Sequence, residues 1–207
     1  MPVERGAPLS SGEFLWRQGL PFQGLVMVRS GCVKLYEENA NGEERVLQFA
    51  FAGDLLGLEA LGSQRHECHA VALGNVMTCR LLAPFGVPDE PVNAEHCRRL
   101  VQRASTILQA CMHRSRGADP LASLQEFLGW LAHRIGRELE REGRRYWQIQ
   151  LPMSRLEIGA YLGCAEETVC RSLRRLQRQG QLEVRGREIL MEAPPRAALL
   201  AGATAPR

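Results

Sequence analysis

Between Ser154 and Gly180 the chain carries two short periodic runs of apolar and polar residues separated by one glycine. Ser154 and Glu157 have the spacing of a capping box, which predicts the start of a helix. Gly163 stands where that helix must end in a left-handed conformation. A second helix is predicted from about Ala165 to Gln179, closed by Gly180. Val169, Leu173 and Leu176 share one face, expected to pack on Leu156, Ile158 and Leu162, while Glu167, Arg171, Arg174 and Arg178 fall on the other. Helix, short glycine turn and helix make a helix-turn-helix. The N-terminal residues of its second helix can meet base edges in a DNA major groove.

Two apolar runs follow, Leu182-Glu183-Val184 and Ile189-Leu190-Met191, around Arg185-Gly186-Arg187-Glu188. This predicts a two-stranded wing with Arg185 and Arg187 at its tip, able to touch phosphates. The formal net charge of +3 does not by itself point to nucleic acid, but its distribution does. Lys34 is the only lysine, and arginines crowd the last third. Arginine pairs bidentately with phosphate or guanine. The candidate DNA-contacting residues are Ser154, Arg155, Glu167, Thr168, Cys170, Arg171, Arg174, Arg175, Arg185 and Arg187.

The first half reads as short strands. Leu25–Val28 and Cys32–Tyr36 are followed by a polar turn, Glu37 to Glu44, and by Arg45–Phe49. The Asn41-Gly42 pair predicts a hairpin here. Ala70–Leu73 and Val76–Leu81 repeat the theme, which suggests a sandwich or jelly roll. From Asn93 to Arg116 glycine and proline are absent, and Leu100, Ala104, Ile107, Leu108 and Cys111 form one narrow apolar stripe. A stripe this narrow suits pairing with a second copy of the helix. Asp119 and Pro120 then start a fresh helix, with Leu121, Leu124, Phe127, Leu128, Leu131, Ile135 and Leu139 marking an amphipathic run to about Glu140–Gly143. A boundary is placed near Gly117, and the Ala/Pro-rich end, 195–207, is read as a disordered tail.

No run approaches the roughly 20 apolar residues that span a bilayer, and no secretory signal is seen, so a cytoplasmic protein without membrane contact is expected. The seven scattered cysteines argue against a disulfide framework. No nucleophile–base pair, phosphate-binding glycine loop or spaced metal motif suggests an enzyme.

The segments Phe51-Ala52-Gly53-Asp54-Leu55-Leu56-Gly57-Leu58-Glu59-Ala60-Leu61-Gly62, Leu156 to Gly163, and Glu167-Thr168-Val169-Cys170-Arg171 together resemble the Crp/Fnr family of transcription regulators, in its Fnr-like form. The resemblance covers nearly the whole chain. It implies an α+β protein: a cyclic-nucleotide-binding-like β-roll (1–92), a dimerisation helix (93–117) and a winged helix-turn-helix (118–194). It also implies a homodimer reading inverted-repeat double-stranded DNA. In the family's Glu-x-x-Ser-Arg reading pattern, cysteine here replaces serine at Cys170. By resemblance, Arg171 would bond a guanine and Glu167 would accept from base amino groups. The acidic turn, with Gly42 and Glu43, corresponds to the one through which Fnr-like activators contact RNA polymerase.

The same resemblance speaks against two effectors. Where cyclic-AMP binders hold the phosphate with Arg-Ser or Arg-Thr, this chain has His66-Glu67, and Glu67 would repel a phosphate. A four-cysteine iron–sulfur cluster needs three N-terminal cysteines that this chain lacks, and only Cys79 matches a ligand position. His66-Glu67-Cys68-His69 reads as a polar loop leading into a strand, or as a metal or haem site using His66, Cys68 or His69. Cys170 lies in the first turns of the second helix, where oxidation would disturb base contact directly. The alternative to a DNA regulator is therefore a metal, haem or thiol redox sensor acting mainly through protein contacts.

Overall fold

The computed structural model describes residues 3–39, 41–81, 119–141 and 143–193. The chain divides into two compact units, one of Met1–Ala118 with Ala160–Gly163, the other of Asp119–Gly159 with Cys164–Arg207.

Among the described residues of the first unit, eight strands form two four-stranded antiparallel sheets. They are β1 (Val3–Arg5), β2 (Phe14–Trp16), β3 (Leu25–Ser30), β4 (Cys32–Glu38), β5 (Glu44–Phe51), β6 (Leu55–Leu56), β7 (His69–Ala72) and β8 (Met77–Leu81), with a short helix α1 (Ala60–Ser63) before β7. The orders are β1-β8-β3-β6 and β2-β7-β4-β5. Strands adjacent in sequence therefore lie in different sheets: β3 and β4 separate, as do β7 and β8. Only β4 and β5 form the hairpin that Asn41-Gly42 predicts, with a register shift between Leu35 and Tyr36. The core between the sheets is built from small and branched side chains, Val26, Val28, Val33, Ala50, Ala70, Ala72 and Val76. Such residues let two twisted sheets pack closely.

β4 is buried along Cys32–Tyr36 without a break, so its sequence does not alternate as a half-buried strand would. Lys34 lies within this run at 5% exposure. Its ammonium donates to Glu44 Oε2 at 2.5 Å and sits 4.5 Å from the Tyr36 ring centroid, so the buried charge is paired.

The second unit opens with helix α2 (Pro120–Ile135), whose first free amides are capped by Asp119, Leu121 N donating to Oδ1 at 3.3 Å. Its stripe Leu124, Phe127, Leu128 and Leu131 is buried, as expected. The helix ends at Ile135, however, and not near Glu140. Gly136 is extended at φ −67°, ψ 139°, and a Cβ there would meet Ala132 O at 2.3 Å and the Trp147 ring at 2.9 Å. Leu139 belongs instead to a strand, β9 (Arg137–Arg141), paired with β10 (Arg144–Gln150). Helices α3 (Arg155–Leu162) and α4 (Glu166–Arg178) follow, then strands β11 (Leu182–Arg185) and β12 (Glu188–Glu192). The sheet order is β11-β12-β10-β9, so the wing extends a four-stranded sheet. Helix α2 packs on α4 and β10.

The stripe Leu100, Ala104, Ile107, Leu108 and Cys111 and the 195–207 tail lie outside the described residues.

Candidate nucleic-acid interface

The start of α3 is fixed by reciprocal bonds. Ser154 N donates to Glu157 Oε2 at 2.8 Å, and Glu157 N donates to Ser154 Oγ at 3.1 Å. This is the capping box that the spacing predicts. Gly163 closes the helix at φ +71°. Gly159 has a separate role: Cys164 N donates to its carbonyl at 2.9 Å, and a Cβ at Gly159 would lie 2.5 Å from Cys164 O. The turn therefore folds against the α3 backbone, where only glycine leaves room.

Helix α4 starts without a side-chain cap, because Ala165 occupies the N-cap position. Glu166 and Glu167 in the first turn complement the helix dipole instead. Val169, Leu173 and Leu176 are buried together with Ile158. Leu156 does not join them as expected; it is 63% exposed, and Leu162 is half-buried. An eight-residue helix places apolar residues on more than one side, so spacing alone does not fix its inner face.

The outer face of α4 is polar. Glu167, Arg171, Arg174, Arg175 and Arg178 are exposed, while Thr168 and Cys170 are half-buried at the edge. Arg171 Nη2 donates to Thr168 Oγ1 at 3.4 Å, which turns the guanidinium toward the helix N-terminus, one turn back. Arg174 and Arg175 carry their charge outward.

The wing is tied to the helix-turn-helix through Arg155, a role the sequence does not suggest. Its Nη2 donates to Gly186 O at the wing turn, at 2.8 Å. Burial draws the Arg155 pKa down, the nearby Cys170 opposes that shift, and Arg187 adds to it. Arg187 Nη1 donates to Pro152 O at 3.3 Å, and Arg185 Nη2 lies 3.0 Å from Glu183 Oε2. Ser154 Oγ accepts in the cap, which leaves its hydroxyl proton able to be donated. Hydrogen bonds thus join the first turn of α3 and the residues before it to the wing tip, and the arginine-rich face of α4 carries the other exposed cations.

The remaining sequence candidates sit in the first unit. His66 is 5% exposed and stacks on Trp16, ring centroids 4.1 Å apart, and its Nδ1 lies 3.1 Å from Glu59 Oε1. Cys68 is 2% exposed, and burial pushes its thiol up to about 12. His69 stacks on Tyr36 at 4.9 Å, and Gln18 N donates to its Nδ1 at 3.4 Å. The segment is a loop leading into β7, as expected, but within it only Glu67 is exposed, while His66 and Cys68 are buried. Among the described residues no three His, Cys, Asp or Glu side chains gather where a metal could be held. Cys79 is buried in β8 as a free thiol. At the acidic turn, Asn39 Oδ1 accepts from the amides of Asn41 and Glu43, and Glu43 Oε2 accepts from Asn39 Nδ2 at 2.8 Å.

Two family models match this chain: the cyclic nucleotide-binding domain over residues 8–83 and the Crp-like helix-turn-helix domain over residues 124–199. Electron transport regulator A of Shewanella oneidensis is 32% identical over 205 residues, covering 97% of this chain and 80% of the relative. The chain belongs to the Crp/Fnr family of transcription regulators. The fumarate and nitrate reduction regulatory protein of Escherichia coli K12 is likewise 32% identical over 205 residues, covering 98% and 80%. Among solved structures, FixK2 from Bradyrhizobium japonicum superposes with a TM-score of 0.79 at 23% identity, covering both chains fully. The α+β fold expected from the sequence is thus that of a Crp/Fnr regulator, a β-rich first domain and a C-terminal helix-turn-helix. Among the described residues no helix is long and apolar enough to cross a membrane.

Proposed function

We propose that this Crp/Fnr regulator binds inverted-repeat promoter DNA as a homodimer, with the outer face of α4 in the major groove. The observation that carries the proposal is the division of α4: Val169, Leu173 and Leu176 are buried, while Glu167, Arg171, Arg174 and Arg175 face outward beside Cys170. Arg171 reads a guanine through its guanidinium fork, Glu167 accepts from a base amino group, and Cys170 lies against a thymine methyl. Ser154, Arg155, Thr168, Arg174, Arg175, Arg185 and Arg187 serve the phosphates and hold the register. The stripe Leu100–Cys111 pairs the two copies. Two half-sites then lie about one helical turn, roughly 34 Å, apart.

The test is selection of binding sites from random DNA, followed by gel shifts at several salt concentrations. An inverted repeat should emerge. Arg171→Ala should weaken binding by about 1–3 kcal/mol at its base pair and relax specificity there. Binding and site preference unchanged in Arg171→Ala would overturn the assignment.

The input is not cyclic AMP. His66, at the position of the phosphate-binding arginine, is stacked on Trp16 and paired with Glu59, and Glu67 is exposed beside it. A four-cysteine cluster within one chain is not proposed either. The protein acts by binding, in the cytoplasm. The turn holding Gly42 and Glu43 is the contact for RNA polymerase, supported by the bonds that order its exposed carboxylates. Glu43→Lys should lower activated transcription in a purified system without changing DNA affinity; unchanged transcription would refute that contact.

A further inference from the structure

The strands of the wing are fixed by the sheet, but its turn reaches past it. β11 and β12 pair from Leu182 opposite Met191 to Arg185 opposite Glu188, and β12 pairs with β10 as far as Glu188 opposite Gln150. Gly186 and Arg187 lie beyond this ladder and are exposed. Three bonds tie them to the segment that enters α3. Leu151 N donates to Arg187 O at 2.9 Å, Arg187 Nη1 donates to Pro152 O at 3.3 Å, and Arg155 Nη2 donates to Gly186 O at 2.8 Å. The two guanidinium groups thus cross over, each donating to a backbone carbonyl of the other's segment.

We infer that Arg155 is a positioning residue for the wing: it fixes Gly186 so that Arg185 and Arg187 can meet DNA phosphates, and most of its effect on affinity passes through them. The inference rests on the DNA reading of this same surface.

Arg155 differs from the other cations of the surface in three respects. Its backbone is anchored, because the reciprocal bonds between Ser154 and Glu157 hold the turn from which it springs. Its side chain is half-buried, whereas Arg174, Arg175, Arg185 and Arg187 are exposed. A hydrogen bond from a charged donor is strong where water is partly excluded, while an exposed pair such as Arg185 with Glu183 holds little in place. Finally, α3 carries the position onward. Gly159 O accepts from Cys164 N at 2.9 Å, just before α4 begins. Wing turn, α3 and the start of α4 therefore form one continuous set of contacts. A hydrogen bond to phosphate requires its atoms within about 3.2 Å, so a wing turn that drifts by about an ångström loses its partners.

The experiment measures binding of the full-length protein to its selected DNA site over a range of salt concentrations. The variants are Arg155→Gln, the wing pair Arg185→Gln with Arg187→Gln, and all three together. Loss of a single phosphate contact lowers the slope of log affinity against log salt by about 0.9. Arg155→Gln should lower it by about 2, because the wing contacts go with it, and should weaken binding about tenfold. Added to the wing pair, Arg155→Gln should cost less than about twofold.

Amide hydrogen exchange in the free protein gives a readout without DNA. The Leu151 amide should exchange at least tenfold faster in Arg155→Gln, while the Leu173 amide in α4 keeps its wild-type rate. The inference is overturned if the slope falls by only about 0.9, if the losses multiply in the triple variant, if Leu151 exchange is unchanged, or if Leu173 is exposed to the same extent as Leu151. Wild-type protein that binds no DNA site would overturn the DNA reading, and with it the affinity role of Arg155. Slow Leu151 exchange in Arg155→Gln, with DNA binding by the wild type intact, would overturn the inference alone.

Discussion

At the level of single residues, Cys68 shows how the fold alters chemistry that the sequence leaves ordinary. Burial raises its pKa from 9.0 to about 12, and Glu59, Glu37 and Glu67 add repulsion against the thiolate. Above pH 9 the unfolded chain releases this proton while the folded chain keeps it. The stability is therefore complete below pH 9 and is lost as pH rises toward 12. Cys68→Ala should flatten that alkaline decline by on the order of a few kcal/mol, read from urea midpoints measured between pH 8 and 11. Some decline should remain, since burial also raises the Tyr36 pKa, with Glu44 adding to it. None of this is legible locally. His66 and Cys68 look like a polar approach to a strand because the ring that buries His66, Trp16, lies fifty residues earlier. By contrast, the outward placement of Glu167, Arg171 and Arg174 could be read directly, because a helix face depends only on nearby spacing.

Among elements, the helix ends carry the clearest energetic expectations. Ser154→Ala breaks the reciprocal cap of α3 and should cost about 1 kcal/mol. Helix α4 offers the opposite case: Ala165 has extended N-cap angles, φ −68° and ψ 153°, and no capping side chain. Ala165→Ser should stabilise the domain by about 1 kcal/mol. Thermal melts of the two variants should shift in opposite directions, and a rise or no change for Ser154→Ala would contradict the cap. These ends were legible because serine, glutamate and glycine act within three or four residues. The end of α2 was not. The apolar spacing continues through Leu139, but Trp147 packs so close to Gly136 that the backbone leaves the helix, and Arg137–Arg141 pairs with β10. Sheet membership was equally hidden, because the partner of each short strand is chosen across the core.

For the whole molecule, the proposed assembly predicts that the apolar stripe and DNA affinity are linked. Leu108→Glu should convert the dimer to a monomer by light scattering and reduce binding to an inverted repeat at least tenfold, while a single half-site is affected far less. A dimer that survives this substitution would place the seam elsewhere. The chain's one lysine has a consequence for the surface as a whole. Lys34 is sealed beneath Glu44 and Tyr36, so every exposed basic side chain that could meet a phosphate is an arginine or a histidine. Amine-directed acylation of the folded protein therefore has no exposed lysine to modify, and its cationic surface cannot be neutralised by that route. Reagents that couple to side-chain amines should acquire a single target only when β4 and β5 come apart, which makes Lys34 a built-in reporter of unfolding.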